Sequence, residues 1–374
     1  MSVGSATRLD PGATEDSRFM ALALSLGRRG LGRPWPNPAV GAVIVKDGII
    51  VGRGWTQPGG RPHAEVEALR RAGAAARGAT LYVTLEPCSH HGKSPPCADA
   101  VIAAAIARVV SALEDPNPEV AGRGHARLRA AGIAVDVGIG AAEARRDHAG
   151  HIRRMRDGRP HVMLKLAASA DGKAGAAGRK PLAITGERVR ERVHLLRAQN
   201  DAIMIGIGTA LADDPLLTCR LPGMEANSPV RVVHDSALRL PPSSRLAQTA
   251  REVPVWVLTA SEGPAAALQA AGVAVMRVAG GKGGRLDLSA VLKVLAERGV
   301  TRLMVEGGPT LAAALVAADL VDEAVLFQSP KIVGTEGIDA LEGMPLTALT
   351  QSPRLVSVRC GAVGVDTYEH FERR

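Results

Sequence analysis

At 374 residues, 46% hydrophobic and 22% charged, the chain has an ordinary globular composition and is long enough for two domains of the usual size of roughly 100–200 residues. Its four cysteines are too few for a disulfide scaffold, and no run approaches the roughly 20 apolar residues that cross a bilayer, so a soluble protein with reduced thiols in a cytoplasm is expected. The +9 formal charge raises nucleic acid as a partner, but the arginines are scattered and aromatic residues make up only 2%, which argues against base-stacking platforms and leaves neither nucleic acid nor membrane as an expected partner.

Residues 1–15 carry Gly, Ser, Thr, Asp and Glu without the basic start or apolar core of a leader and read as a loose tail. A helix is predicted over 16–27, then a hairpin over 40–55 turning at Asp47-Gly48, because Gly tolerates the positive φ such a turn demands. A helix follows over 63–76, with Val66, Leu69 and Ala72 as its apolar stripe, and a strand over 79–85. Residues 97–107 read as an alanine-rich helix, 108–112 as a strand, and 126–137 as a helix leading into a strand. Such alternation predicts a layered α/β domain. The polar, basic stretch over 145–160 marks a boundary, giving a first domain over 16–150 and a second over 151–374. In the second, strands are predicted over 161–168, 202–207, 230–234, 253–258, 301–305 and 323–328, and helices over 187–198, 289–298 and 309–317, again an α/β pattern.

Chemistry concentrates first at His63-Ala64-Glu65, which opens the predicted 63–76 helix. Cys88 and Cys97 follow the next strand in P-C-S-H-H-G-K-S-P-P-C, where prolines and a glycine stiffen a loop able to return the second sulfur to the first. One His and two Cys make three ligands, and catalytic zinc sites keep three protein ligands with a position left open, whereas structural sites close with four. Zinc held this way lowers the pKa of water toward ~7. Glu65, beside the ligands without being one, is the candidate proton carrier: attack on an amidine-like ring carbon makes a tetrahedral centre, and ammonia leaves only once its nitrogen is protonated. Zinc deaminases carry H-x-E followed by P-C-x-x-C; here the cysteines stand nine apart. Read otherwise, Cys88 and Cys97 are buried apolar residues, a disulfide, or part of a closed structural site with His90 or His91. A fourth ligand would shut the metal from water, so these histidines are expected to face substrate or structure the loop. Cys219 and Cys360 have no neighbouring ligands and read as packing residues.

The segments P-N-P-A-V-G-A-V-I-V (36–45), P-H-A-E-V-E-A-L (62–69), T-L-E-P-C-S-H-H-G-K-S-P-P-C (84–97) and D-P-N-P-E-V-A-G-R-G (115–124) resemble the bifunctional deaminase/reductase family of riboflavin biosynthesis, whose variant the long cysteine spacing is. The resemblance continues through L-K-L-A-A-S-A-D-G-K (164–173), L-L-R-A-Q-N-D-A-I (195–203), G-T-A-L-A-D-D-P-L-L-T-C-R (208–220) and V-E-G-G-P-T-L (305–311), covering nearly all of the chain but the tail. It implies an α/β protein with an N-terminal cytidine-deaminase-like three-layer domain and a C-terminal dihydrofolate-reductase-like domain. The first would remove an amino group from a diaminopyrimidinone ribosyl phosphate. The second would reduce the ribosyl group of the aminouracil product to ribityl with NADPH, hydride reaching C1′ after ring opening and Asp213 or Glu306 handling the proton. By resemblance, one catalytic zinc sits on His63, Cys88 and Cys97, Glu65 is catalytic, and Asn37 faces the pyrimidine. Arg197, Leu217, Arg220 and Glu306 would touch substrate, with Ala167, Ala183, Thr209, Asp213, Ser236 and the turn beginning at Gly308 on the cofactor. Lys165, in the matching first strand, would face the same site. The small-molecule partner is thus a phosphorylated pyrimidine, and a homo-oligomer is expected.

Without the resemblance, the second half says less. Gly307-Gly308 lies between a predicted strand and helix, where main-chain N–H groups bind phosphate or where the chain simply turns tightly; the pair lacks the full dinucleotide fingerprint. Arg197 and Arg220 suit a phosphate by bidentate geometry, or are surface charges. Asp213-Asp214 before Pro215 suits a loop or helix cap. The G-G-K-G-G run at 280–284 reads as a flexible loop, since a phosphate-binding P-loop needs G-K-[ST] at a fixed spacing. Two departures from the family stand out. P-L-A-I-T (181–185) replaces S-x-W-I-T, removing an aromatic cofactor contact at Ala183, and Ala167 stands where glycine is common. Arg179 and Lys180 could add attraction for a 2′-phosphate.

Overall fold

The computed structural model describes residues 14–90, 94–179 and 182–374. The expectations for His91, Lys180 and most of the 1–15 tail fall outside the described residues. The chain divides into two compact units, Met1–Asp157 and Gly158–Arg374.

In the first unit the order is α1 (Glu15–Arg28), β1 (Gly41–Lys46), β2 (Ile49–Trp55), α2 (Ala64–Ala72), β3 (Thr80–Val83), α3 (Cys97–Ala103), β4 (Arg108–Ser111), α4 (Arg123–Ala130), β5 (Ala134–Val137), α5 (Ala141–Asp147) and α6 (Ala149–Asp157). Thr14 starts α1 by accepting the Ser17 N–H on its hydroxyl at 3.3 Å, a cap worth about 1 kcal/mol. Asp47 and Gly48, with φ of 51° and 74°, close the β1–β2 hairpin in the twist-matched manner their residue types favour. The sheet order is β2-β1-β3-β4-β5, antiparallel across β2, β1 and β3 and parallel from β3 to β5.

Close helix approach explains where the expected stripe of α2 differs. Cβ atoms added at Gly52 and Gly54 of β2 would lie 2.3 Å from Ala68 O and 2.5 Å from Ala64 O, so the helix packs through backbone and alanine against two bare strand positions. Ala64, Ala68 and Ala72 are therefore its buried apolar face, while Val66, expected inside, is exposed. The helix also ends four residues early, at Ala72, passing into a short 3-10 turn. Gly41, a neighbour of Ala42 on β1, instead faces Ala23 of α1, and since neighbouring strand residues face opposite ways, α1 and α2 cover opposite faces of a three-layer unit.

The stretch read as a polar boundary is helical. The end of α5 and all of α6 lie in it, and the expected division at 150/151 falls inside α6. His148 and His151 turn inward: their Nε2 atoms meet Thr84 Oγ1 at 3.0 Å and Asp115 Oδ1 at 2.9 Å. Buried histidines held by polar partners gave no apolar period to read.

The second unit runs β6 (His161–Ala168), β7 (Lys173–Gly175), α7 (Glu187–Ala198), β8 (Ala202–Gly206), α8 (Ile207–Asp213), β9 (Val230–His234), α9 (Arg245–Gln248), β10 (Val255–Thr259), α10 (Ala266–Ala270), β11 (Ala274–Arg277), α11 (Leu288–Glu297), β12 (Arg302–Glu306), α12 (Pro309–Ala317), β13 (Glu323–Gln328), β14 (Ile338–Asp339), α13 (Thr347–Thr350), β15 (Leu355–Val363) and β16 (Asp366–Arg373). Its main sheet has the order β11-β10-β9-β8-β12-β6-β13-β16-β15. Every pairing from β11 to β13 is parallel, and the last two are antiparallel. Because β12 inserts between β6 and β8, the chain departs to both sides of it, which opens a crevice at the carboxyl ends of the central strands.

Candidate active sites

Three chain segments build the first site. His63 precedes α2 with extended φ and ψ and leaves its side chain free of helix capping, Cys88 follows the strand β3, and Cys97 begins α3. His63 Nδ1 lies 3.3 Å from Cys97 Sγ and 3.7 Å from Cys88 Sγ, and the three donor atoms fall within 4.8 Å of one another. Asn37 Nδ2 donates to Gly60 O at 2.8 Å and lies 3.3 Å from His63 Nε2, so it orients the ring from behind. Both cysteines are free thiols; the disulfide reading is not what the structure contains. Nor is His90 a fourth ligand: it is exposed and outside the ligand cluster. Cys219 is buried as expected of a packing residue, but Cys360 is exposed on β15, where an edge strand leaves its side chains in water.

Electrostatics suit a cation between the sulfurs. A hydrogen bond from the Cys97 side chain, with help from His63 and the Cys97 N–H at 3.3 Å, lowers the Cys88 thiol to about 4, and Cys88 in turn pushes Cys97 up. Two thiols this close hold one proton between them, and a metal ion would replace it. A nitrogen and two sulfurs within a few ångströms are a zinc donor set of the open, three-ligand kind. Glu65, in the first turn of α2, is 3% exposed, and burial raises its carboxyl to about 7.

The second site lies on the carboxyl ends of β9, β8, β12 and β6. Lys165 and Glu306 are register partners on β6 and β12, with Lys165 Nζ 3.5 Å from Glu306 Oε1. Arg197, from α7, grips the same carboxylate through Nε and Nη2, each at 2.9 Å, and donates Nη1 to Thr218 O at 3.1 Å. Burial opposes ionisation of Glu306, yet Lys165 and Arg197 hold its carboxyl below the usual value. Arg197 is therefore neither a surface charge nor a free phosphate fork. Arg220 is exposed, its Nη1 3.5 Å from Thr218 Oγ1, and Leu217 is buried with a φ of 57°. Sequence reasoning missed His194, whose Nδ1 lies 3.1 Å from Thr218 O; its place three residues before Arg197, on one helix face, was the available signal.

Gly308, at the head of α12, has a φ of 77°, and a Cβ there would come 3.1 Å from Thr209 Oγ1. The bare backbone and the Thr209 hydroxyl thus form a cradle that a side chain would fill. Ala167 is near the end of β6 and Ser236 in the turn after β9. Ala183, where the aromatic residue is missing, has its carbonyl held by Lys331 Nζ at 2.8 Å, a partner that no local pattern in the sequence announces. The cap reading of the Asp pair belongs to Asp214, which accepts Arg245 N–H at 2.8 Å at the start of α9. Asp213 is exposed at the end of α8, and partial desolvation of its carboxylate raises its pKa.

Family matches follow the two units. Residues 13–113 match the cytidine and deoxycytidylate deaminase zinc-binding region, and residues 160–367 match the RibD C-terminal domain. Fold and sites thus define a zinc-type deaminase domain followed by a reductase domain. The riboflavin biosynthesis protein RibD of Escherichia coli K12 is 44% identical over 370 residues, covering 96% of this chain and 99% of its own, and that of Aquifex aeolicus is 40% identical over 359 residues, covering 96% and 98%. An Acinetobacter baumannii RibD structure superposes with a TM-score of 0.86 at 34% identity over 96% of this chain and 99% of its own. The chain belongs to the RibD family of bifunctional deaminase/reductases of riboflavin biosynthesis. No helix among the described residues is long and apolar enough to cross a membrane.

Proposed function

We propose that the first site deaminates a diaminopyrimidinone ribosyl phosphate and that the second reduces the ribosyl group of the resulting aminouracil with NADPH. A Thermotoga maritima structure named as a diaminohydroxyphosphoribosylaminopyrimidine deaminase and phosphoribosylaminouracil reductase supports this pairing, with a TM-score of 0.84 at 35% identity. The observation that carries the reading is the His63, Cys88 and Cys97 donor set beside a buried Glu65.

One zinc ion would be held by His63, Cys88 and Cys97, where it would supply the Lewis acidity that makes water nucleophilic at neutral pH. Glu65 takes the proton from the attacking water and returns it to the amino nitrogen as ammonia departs. Burial raises the Glu65 carboxyl in the metal-free site, which favours its carrying the proton through both halves of that transfer. Asn37, its amide nitrogen held by Gly60 O, would turn its amide oxygen to the pyrimidine. Cytoplasmic residence is in keeping with thiols that a metal requires reduced. Cys97→Ser is expected to bring zinc per purified chain close to none and abolish deamination, while NADPH oxidation with supplied aminouracil product persists. A full zinc complement in that variant would sink the ligand assignment.

In the second site NADPH would supply the hydride. Gly308 and Thr209 would hold its phosphates at the start of α12, and Ala167, Ala183 and Ser236 would hold the rest of the cofactor. Lys165, Arg197 and Glu306 form a rigid polar floor under the sugar, and Leu217 and Arg220 close the substrate end. Glu306, held ionised, orients hydroxyls, which leaves Asp213, its carboxyl raised by partial desolvation, as the better proton carrier. Gly308→Ala is expected to raise KM for NADPH about tenfold, since a side chain at positive φ and against Thr209 costs on the order of 1–3 kcal/mol. An unchanged KM would remove Gly308 from the cofactor site.

A further inference from the structure

The segment from Leu217 to Arg220 is held from α7 at two points. His194 and Arg197 stand three residues apart and share a helix face. Arg197 Nη1 donates to Thr218 O at 3.1 Å, while His194 Nδ1 lies 3.1 Å from that oxygen and 3.3 Å from Arg220 N. A single ring nitrogen either donates or accepts. Thr218 O already has a donor in Arg197, whereas the Arg220 N–H can only donate. Both groups are satisfied when the Nδ1 lone pair faces Arg220 and the ring proton sits on Nε2. Burial, then Arg197 and Arg220, lower the pKa of His194, so the ring is kept neutral with that lone pair available. The segment needs such a hold: Leu217 is a buried, non-glycine residue at a φ of 57°, a conformation that persists where the surroundings over-determine it.

We infer that His194 is a positioning residue of the reductase centre, its Nδ1 accepting the main-chain N–H of Arg220 so that the exposed Arg220 guanidinium is set to meet the anionic end of the substrate. The inference rests on the proposed assignment of Arg220 to substrate. The sugar would rest over Lys165 and Glu306, which His194 does not touch, so loss of the ring weakens recognition of the phosphate and leaves the chemical step alone.

The test follows NADPH oxidation by the full zinc-loaded chain, with phosphoribosylaminouracil and with its dephosphorylated form. In His194→Leu, KM for the phosphorylated substrate rises about tenfold, the scale of one lost hydrogen bond to a group that then lacks a partner. Unchanged are kcat, KM for NADPH, KM for the dephosphorylated form, and deaminase activity. His194→Asn, whose Oδ1 can stand where Nδ1 stood, restores most of the loss; His194→Ala serves as the removal variant should the leucine chain not fold. Equal KM rises for both substrate forms, or no rise for the phosphorylated one, would overturn the inference. Arg220→Gln separates the two readings. If that variant still distinguishes the phosphorylated from the dephosphorylated substrate as the parent does, the Arg220 assignment fails and takes the inference with it. If it loses that distinction while His194→Leu keeps it, only the role of His194 fails.

Discussion

Glu65→Gln is expected to reduce deaminase turnover by about 10²–10⁴, the usual range for removing a positioned general acid–base group, with zinc content and NADPH-dependent reduction of supplied aminouracil product unchanged. The amide keeps the shape and burial of a side chain only 3% exposed, so the fold of α2 survives. It cannot accept a proton from water and return it. Since Glu65 is not among the metal donors, zinc binding is untouched, and a metal assay on the variant distinguishes proton transfer from metal loss. Reduction persists because Lys165, Arg197 and Glu306 belong to the other compact unit. Loss of both activities in a folded, zinc-loaded variant would contradict independent sites.

Glu306→Gln is expected to give the opposite pattern, reductase activity falling by about 10²–10³, as when a preorganised polar group is removed from a site, with deamination unaffected. The carboxylate is the shared counter-charge of Arg197, at 2.8 Å, and Lys165, at 3.5 Å, and the three side chains are 10–15% exposed. Taking away the negative partner leaves two largely buried cations facing each other. Breaking a buried pair from one side costs about 3–5 kcal/mol, so reductase activity in the variant should also be lost at a lower temperature than in the parent. A variant with full reductase activity and parental heat resistance would show that the cluster is neither a substrate floor nor a structural clamp.

The two sites were legible to different degrees. His63, Glu65, Cys88 and Cys97 sit within two short motifs, and their residue types alone restrict the chemistry, so the structure had only to bring the donor atoms of His63, Cys88 and Cys97 within 4.8 Å of one another. Glycine-mediated packing was hidden, because Val66, Leu69 and Ala72 satisfy a helical period while the real buried face is alanine against Gly52 and Gly54. The helices α5 and α6 were hidden too, since their inward residues include histidines that bond to Thr84 and Asp115 rather than an apolar stripe. The β15–β16 hairpin escaped for a related reason: β15 is exposed along most of its length and shows no buried alternation. In the second site, Arg197 and Glu306 are 109 residues apart, and no local pattern reveals that one arginine spends its fork on a carboxylate instead of a phosphate.

The claim that one chain carries two successive chemistries is tested most directly by a mass-resolved time course of the purified, zinc-loaded protein with the diaminopyrimidinone ribosyl phosphate and NADPH. The deaminated aminouracil should form first and then give way to its ribityl product as NADPH is consumed; without NADPH the course should stop at the aminouracil. Reduction of the diamino compound before any deamination, or no deamination by zinc-loaded protein, would contradict the account.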